Sequence, residues 1–208
     1  MNNNNYSYKL VMIAGKQISN IMKYLFSNKL ISARDGNVSF KPKHEKHFFI
    51  SPSQVKKNNI HPDDVIKVNF DNWGNLKYSN ERCTPSREIY MHSFLLTNEL
   101  YKNKDVFVVH AHPPNIISYM GFDNHRELNT IKNIFPELNV GNIGKNVNYH
   151  DAGTIALAKN CYDNLLHNEL VGLERHGSLS IGTDSDEIIE GIETIEYYID
   201  SYLKSDLK

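Results

Sequence analysis

The chain has 208 residues, 40% of them hydrophobic and 23% charged, with a formal net charge of −1. That composition is globular rather than disordered, is long enough to bury a sizeable core, and lacks the basic excess of a nucleic-acid binder. No apolar run approaches the ~18 residues of a membrane span and the opening "MNNNNYS" has no signal-peptide pattern, so a cytoplasmic location with no nucleic-acid or membrane partner is expected.

Residues 1–7 read as a disordered polar terminus and 8–208 as one domain, because no Pro/Gly/Ser-rich linker divides the chain and no repeat is visible. From Tyr8 to Ser27, Val11, Ala14, Ile18, Ile21, Met22 and Leu25 recur at three and four, which predicts an amphipathic helix. Short strands are expected at Val38–Phe40, in "HFFISPS" and in "DDVIKVNF", with "DNWGN" turning the chain back as a hairpin. Thr84 is placed as an N-cap with Pro85 at the first helical position, predicting a helix to about Leu100.

Val106–Val109 reads as a fully buried strand that Pro113 cannot extend. One or two short helices are expected around 115–138, then strand and turn in "NVGNIGKNVNY" and a helix in "DAGTIALAKNCYDNLL". "GNIGK" lacks the spacer and the hydroxyl residue of a phosphate loop. "ELVGLERHG" predicts a strand ending at His176, and "SLSIG" continues the sheet. Asp184 and Glu187 have capping-box spacing before a last helix whose stripe is Ile188, Ile192, Ile195, Ile199 and Leu203. Helices and strands mingle without βαβ alternation, an α/β chain without a dinucleotide fingerprint.

The chemistry-bearing residues are histidines. Side chains two apart on a strand share a face, so His110 and His112 stand side by side where the buried strand ends. Two ligands do not close a metal site. His176, also at a strand end and followed by Gly177, is a third. A lone strand-end histidine is more often a hydrogen-bonded edge residue, and only tertiary structure can bring these three together. If they meet, three neutral imidazoles suit Zn²⁺ and leave a position open for water or substrate. The two cysteines, Cys83 and Cys161, form no CxxC pair and fit a reducing compartment.

Seven motifs, "DGNVSF", "ISPS", "TPSREIYMH", "VVHAHPP", "YHDAGT", "RHGSLSIGTD" and "IETIEYYI", occur in the order seen in the class II aldolase/adducin family. The chain most resembles its L-fuculose-phosphate aldolase branch, with L-ribulose-5-phosphate 4-epimerases as relatives. The resemblance implies a three-layer α/β/α sandwich around a mainly antiparallel sheet, one Zn²⁺ per chain and a homotetramer. It also implies cleavage of a phosphorylated ketose, like L-fuculose-1-phosphate, to dihydroxyacetone phosphate and an aldehyde.

His110, His112 and His176 match the family's zinc ligands, and Glu88 matches its acid–base carboxylate, which can also approach the metal. Gly36, Asn37, Ser53, Gln54, Ser86 and Arg87 fall where the family cradles a substrate phosphate. Taken alone, Glu88 would pass as an ordinary first-turn glutamate and Gly36-Asn37 as a plain turn. His92, one turn beyond Glu88 on the same face, is either a partner of that carboxylate or, the preferred reading, a helix histidine packed against the sheet. Three positions depart from the pattern. Arg87 replaces a serine, Gln54 replaces a glycine, and residues 120–148 lack the family's tyrosine, which exchanges a proton with the aldehyde oxygen. Tyr149, Tyr197, Tyr198, Tyr202 and Glu137 are the substitutes considered for that tyrosine. Three rivals stay open: a 4-epimerase, a methylthioribulose-phosphate dehydratase, and a non-catalytic adducin-like scaffold.

Overall fold

A computed structural model describes residues 3–71, 75–78, 80, 82–121 and 126–205. Seven strands make one sheet: β1 Asn37–Lys41, β2 His47–Ile50, β3 Ile66–Phe70, β4 Leu76–Tyr78, β5 Val106–Ala111, β6 Leu170–Leu173 and β7 Gly177–Gly182. Their spatial order is β4-β3-β2-β1-β5-β7-β6, and every neighbouring pair is antiparallel. The helices are α1 Asn3–Ser27, α2 Ile89–Leu96, α3 Pro114–Met120, α4 Ile131–Ile134, α5 Ile155–Leu165 and α6 Ser185–Ser205.

The two faces of the sheet bury separate cores. Phe107, Val109 and Ala111 of β5 pack with α1, α3, α4 and α6. Val106 and Val108 pack with α2 and α5. This is the three-layer α/β/α arrangement, and it explains why β5 is apolar at consecutive positions rather than alternating. His110 shares the parity of Val106 and Val108, so its ring emerges on the α2/α5 side. The α6 stripe buries Ile188, Ile192, Ile195 and Ile199, each contributing about 1.5–3 kcal/mol of burial. Asp184 Oδ1 accepts from the backbone N–H of Asp186 at 2.8 Å, capping that helix as its spacing predicts. No helix among the described residues is long and apolar enough to cross a membrane.

Four local expectations need correction. α1 starts at Asn3, ahead of Tyr8, because an asparagine run carries no apolar stripe to read. Thr84 and Pro85 do not open a helix. Residues 84–86 instead run against 51–53, with Ser53 N–H donating to Thr84 O at 2.8 Å and Ser86 N–H to Ser51 O at 3.3 Å. Backbone spent on that pairing cannot start a helix, so α2 begins at Ile89 and ends at Leu96, short of Leu100. The segment "NVGNIGKNVNY" makes two isolated parallel bridges to β6, Ile143 with Leu170 and Val147 with Leu173, rather than a strand. Residues 72–74 of the "DNWGN" turn lie outside the described residues, but the strands on either side pair in hairpin register.

Candidate metal centre and substrate cleft

Two turns and a helix start deliver the polar groups. β5 carries His110 and ends one residue before His112, whose N–H is held by Leu30 O at 2.9 Å. His176 lies in the β6–β7 turn rather than at a strand end, its N–H donating to Leu173 O at 3.0 Å with Arg175 at φ 57°. Gly177 makes the approach of the two possible. A Cβ there would run into the Ala111 carbonyl and lie 3.2 Å from His112 Cα. Only a residue without a side chain lets the start of β7 press against the end of β5.

The result is a tight cluster. His110 Nε2 is 2.8 Å from His112 Nε2 and 3.3 Å from His176 Nε2. Glu88 closes the fourth side, Oε2 3.3 Å from His110 Nε2 and Oε1 3.5 Å from His176 Nε2. Oε1 is buried without a hydrogen-bond partner. Nitrogens ~2.0–2.1 Å from a tetrahedral zinc lie about 3.3 Å from one another. The three ligand nitrogens, all within 4.8 Å, could therefore hold a metal ion.

The surroundings favour cation binding. His110 Nδ1–H donates to Ser178 O at 2.8 Å, which leaves the Nε2 lone pair facing its neighbours. Burial, reinforced by His110, holds His112 down at about 3 against the opposing pull of Asp35. Burial and His110 hold His176 at about 4 against Glu88 and Asp35. Both rings are therefore neutral donors at pH 7. Burial pushes the Glu88 carboxyl up, but His110, His176, the Asn37 amide and His92 together outweigh it and hold the group at about 2.

Glu88 sits at the N-cap of α2, just before the first turn where the sequence places it. Behind it runs a buried chain of hydrogen bonds. Asn37 Nδ2–H donates to Glu88 Oε2 at 2.8 Å, His92 Nε2–H donates to Asn37 Oδ1, and Ser39 Oγ–H donates to His92 Nδ1 at 2.6 Å. His92 is thus a polar support of the carboxylate, which corrects the expectation of simple packing against the sheet. The i, i+4 spacing from Glu88 was the available cue.

This network predicts acid lability. Burial, with Glu88 opposing and His110 reinforcing, depresses His92 from 6.5 to about 3. A depressed folded-state pKa contributes stability that is full above the unfolded value and is lost as pH falls towards the folded one. The window here runs from 6.5 down to about 3. Metal-free protein should lose about 2 kcal/mol between pH 7 and pH 5 from this ring alone. Urea midpoints check this, and equal midpoints at the two pH values would contradict a neutral, buried His92.

The cluster opens on a cleft of about 190 Å³ lined in part by Gly36, Asn37, Ser53, Gln54, Ser86 and Arg87. All six residues matched to phosphate binding therefore line this cleft, Ser53-Gln54 and Ser86-Arg87 being brought together by the 51–53/84–86 pairing. Gly36 and Gln54 have φ of 72° and 62°. Gln54 therefore holds the left-handed backbone for which glycine is favoured, with its side chain exposed. Sequence reasoning missed four other cleft residues, Arg34, Asp35, Lys57 and Ala152. Of the substitutes for the missing tyrosine, Tyr198 and Tyr202 pack against the core on the opposite face of the sheet. Tyr197 and Glu137 are exposed. Tyr149 is half exposed, with the Arg175 guanidinium of the His176 turn 6.0 Å from its ring.

Residues 16–203 match the family described as Class II Aldolase and Adducin N-terminal domain. The chain belongs to the class II aldolase/adducin family. No curated protein matches it by sequence. Among solved structures, an L-fuculose 1-phosphate aldolase is 20% identical with a TM-score of 0.76, the match covering 93% of this chain and 86% of that one. A sugar-phosphate aldolase from Thermotoga maritima is 17% identical with a TM-score of 0.76, covering 92% and 94%. The L-fuculose-1-phosphate aldolase from Thermus thermophilus is 20% identical with a TM-score of 0.68, covering 95% of each chain. At these identities the likeness is one of fold, here the class II aldolase fold.

Proposed function

We propose that this class II aldolase/adducin protein is a zinc-dependent aldolase. It would cleave a phosphorylated ketose, like L-fuculose-1-phosphate, to dihydroxyacetone phosphate and an aldehyde. The observation that carries this reading is the meeting of His110, His112 and His176 with the buried Glu88 carboxylate. A zinc ion held by the three imidazoles would supply positive charge for the oxygens of a ketose, whose cleavage leaves negative charge beside the broken C–C bond.

The chain's own groups do the rest. On cleavage, the carbon released from the aldehyde must take up a proton, and on condensation it must lose one; Glu88 is the group proposed to carry it. Asn37 and His92 hold the carboxylate by one oxygen and leave Oε1 towards the cluster. Gly36, Asn37, Ser53, Gln54, Ser86 and Arg87 would bind the phosphate. Tyr149, beside the His176 turn, is the proposed proton donor to the aldehyde oxygen on condensation; on cleavage that hydroxyl proton is given up as the aldehyde forms. The proposed assembly is a cytoplasmic homotetramer with one zinc per subunit. The exposed Tyr90, Tyr149 and Ile155 are surface such an assembly would cover.

The test is a screen of ketose phosphates with zinc-loaded protein, following dihydroxyacetone phosphate by coupled reduction. One ketose phosphate should release dihydroxyacetone phosphate and aldehyde in equal amounts. Epimer or dehydrated product without it would replace the aldolase by one of its two rivals. No turnover by zinc-loaded protein would favour the scaffold.

A further inference from the structure

Lys57 is only 3% exposed, an unusual setting for an ammonium group. Its backbone N–H donates to Ala33 O at 3.0 Å, tying the single turn Lys57–Asn59 to the loop before Gly36. Its side chain runs beneath the cleft, where Nζ donates to Pro52 O at 3.1 Å. An ammonium has three N–H donors, and that carbonyl is its one hydrogen-bond acceptor among the described residues. A buried cation so thinly satisfied costs stability that a methionine of similar length would not.

The charges around the cleft give that cost a reason. Asp35 and Glu88 both line it, so without Lys57 an approaching phosphate would meet two carboxylates. Arg34 and Arg87 also line it, but both are exposed and their charges are screened by water. The remaining cleft residues matched to phosphate binding are neutral. Lys57 lies at low dielectric, where one charge counts for more.

We infer that the Lys57 ammonium binds the phosphate of the substrate beside Ser53 and Ser86, and sets the preference for phosphorylated over unphosphorylated sugars. The inference rests on the sugar-phosphate reading of this cleft. A purely structural lysine would only balance Asp35 and Glu88.

Inorganic phosphate is the probe, titrated calorimetrically into zinc-loaded protein, so that no turnover is needed. Lys57→Met should weaken phosphate binding by about 10- to 100-fold, as for loss of a charged hydrogen bond. Zinc content should stay unchanged, and Lys57→Arg should restore much of the affinity. If the wild type turns over, KM for the phosphorylated ketose should rise in Lys57→Met while that for the unphosphorylated sugar stays level.

Crystals of wild-type protein soaked in phosphate provide a check that survives misfolding of the variant. Nζ should lie about 3 Å from a phosphate oxygen. Equal phosphate affinity in folded Lys57→Met, a phosphate bound away from Nζ, or no phosphate binding by the wild type would overturn the inference. Weaker binding in Lys57→Met, with no ketose phosphate cleaved by the wild type, would keep the inference and refute the reaction.

Discussion

Glu88→Gln is expected to keep the fold and the bound cation while lowering turnover by ~10²–10⁴-fold, the usual worth of a positioned acid–base group. The substitution preserves shape, and the amide oxygen can still accept from Asn37 Nδ2, which now donates to Glu88 Oε2 at 2.8 Å. What it removes is the exchangeable proton. Burial opposes the charged form of this carboxyl, but His110, His176, the Asn37 amide and His92 outweigh it and hold the group at about 2. It is therefore ionised at neutral pH, with no proton of its own to give. As a donor it depends on taking that proton from substrate first. Undiminished turnover at full zinc content would remove Glu88 from the chemistry.

The second large effect concerns the ligands. His110→Ala or His176→Ala should weaken zinc binding by at least about 100-fold, because even the groups that merely support a ligand are worth 10–100-fold. Activity should fall with it. The exposed His167 serves as a control, and His167→Ala should retain the ion. His110 has the larger expected effect of the two. Its Nε2 is the central atom, within 3.3 Å of both other rings and of Glu88, and its Nδ1 is anchored on Ser178 O. Retention of zinc by both ligand variants would mean that the ion sits elsewhere.

How much of this the sequence discloses depends on the range of the interaction. The stripes of α1 and α6 are local periodicities, and they are legible almost residue by residue. The period of two likewise gives His110 and His112 a common face. The meeting of these two with His176 is not local. It depends on β7 inserting beside β5, a pairing whose trace in the sequence is Gly177, where the two backbones touch.

Thr84-Pro85 shows the opposite case, in which a good local helix-start signal loses to long-range pairing with Ser51–Ser53. That same pairing brings Ser53 and Ser86 to the cleft, so the misread cap marks part of the proposed substrate site. The burial of Lys57 leaves no trace in a one-dimensional reading, since lysine is the residue type most expected at the surface. For His92, helical spacing indicates the face, while its partners Ser39 and Asn37 come from β1.

The most direct test of the whole account is the anomalous diffraction of crystals grown from zinc-loaded protein. A single strong zinc peak per chain, about 2.0–2.1 Å from one nitrogen each of His110, His112 and His176, is the predicted result. A zinc peak at any other place, or none at this cluster with zinc in excess, would contradict it.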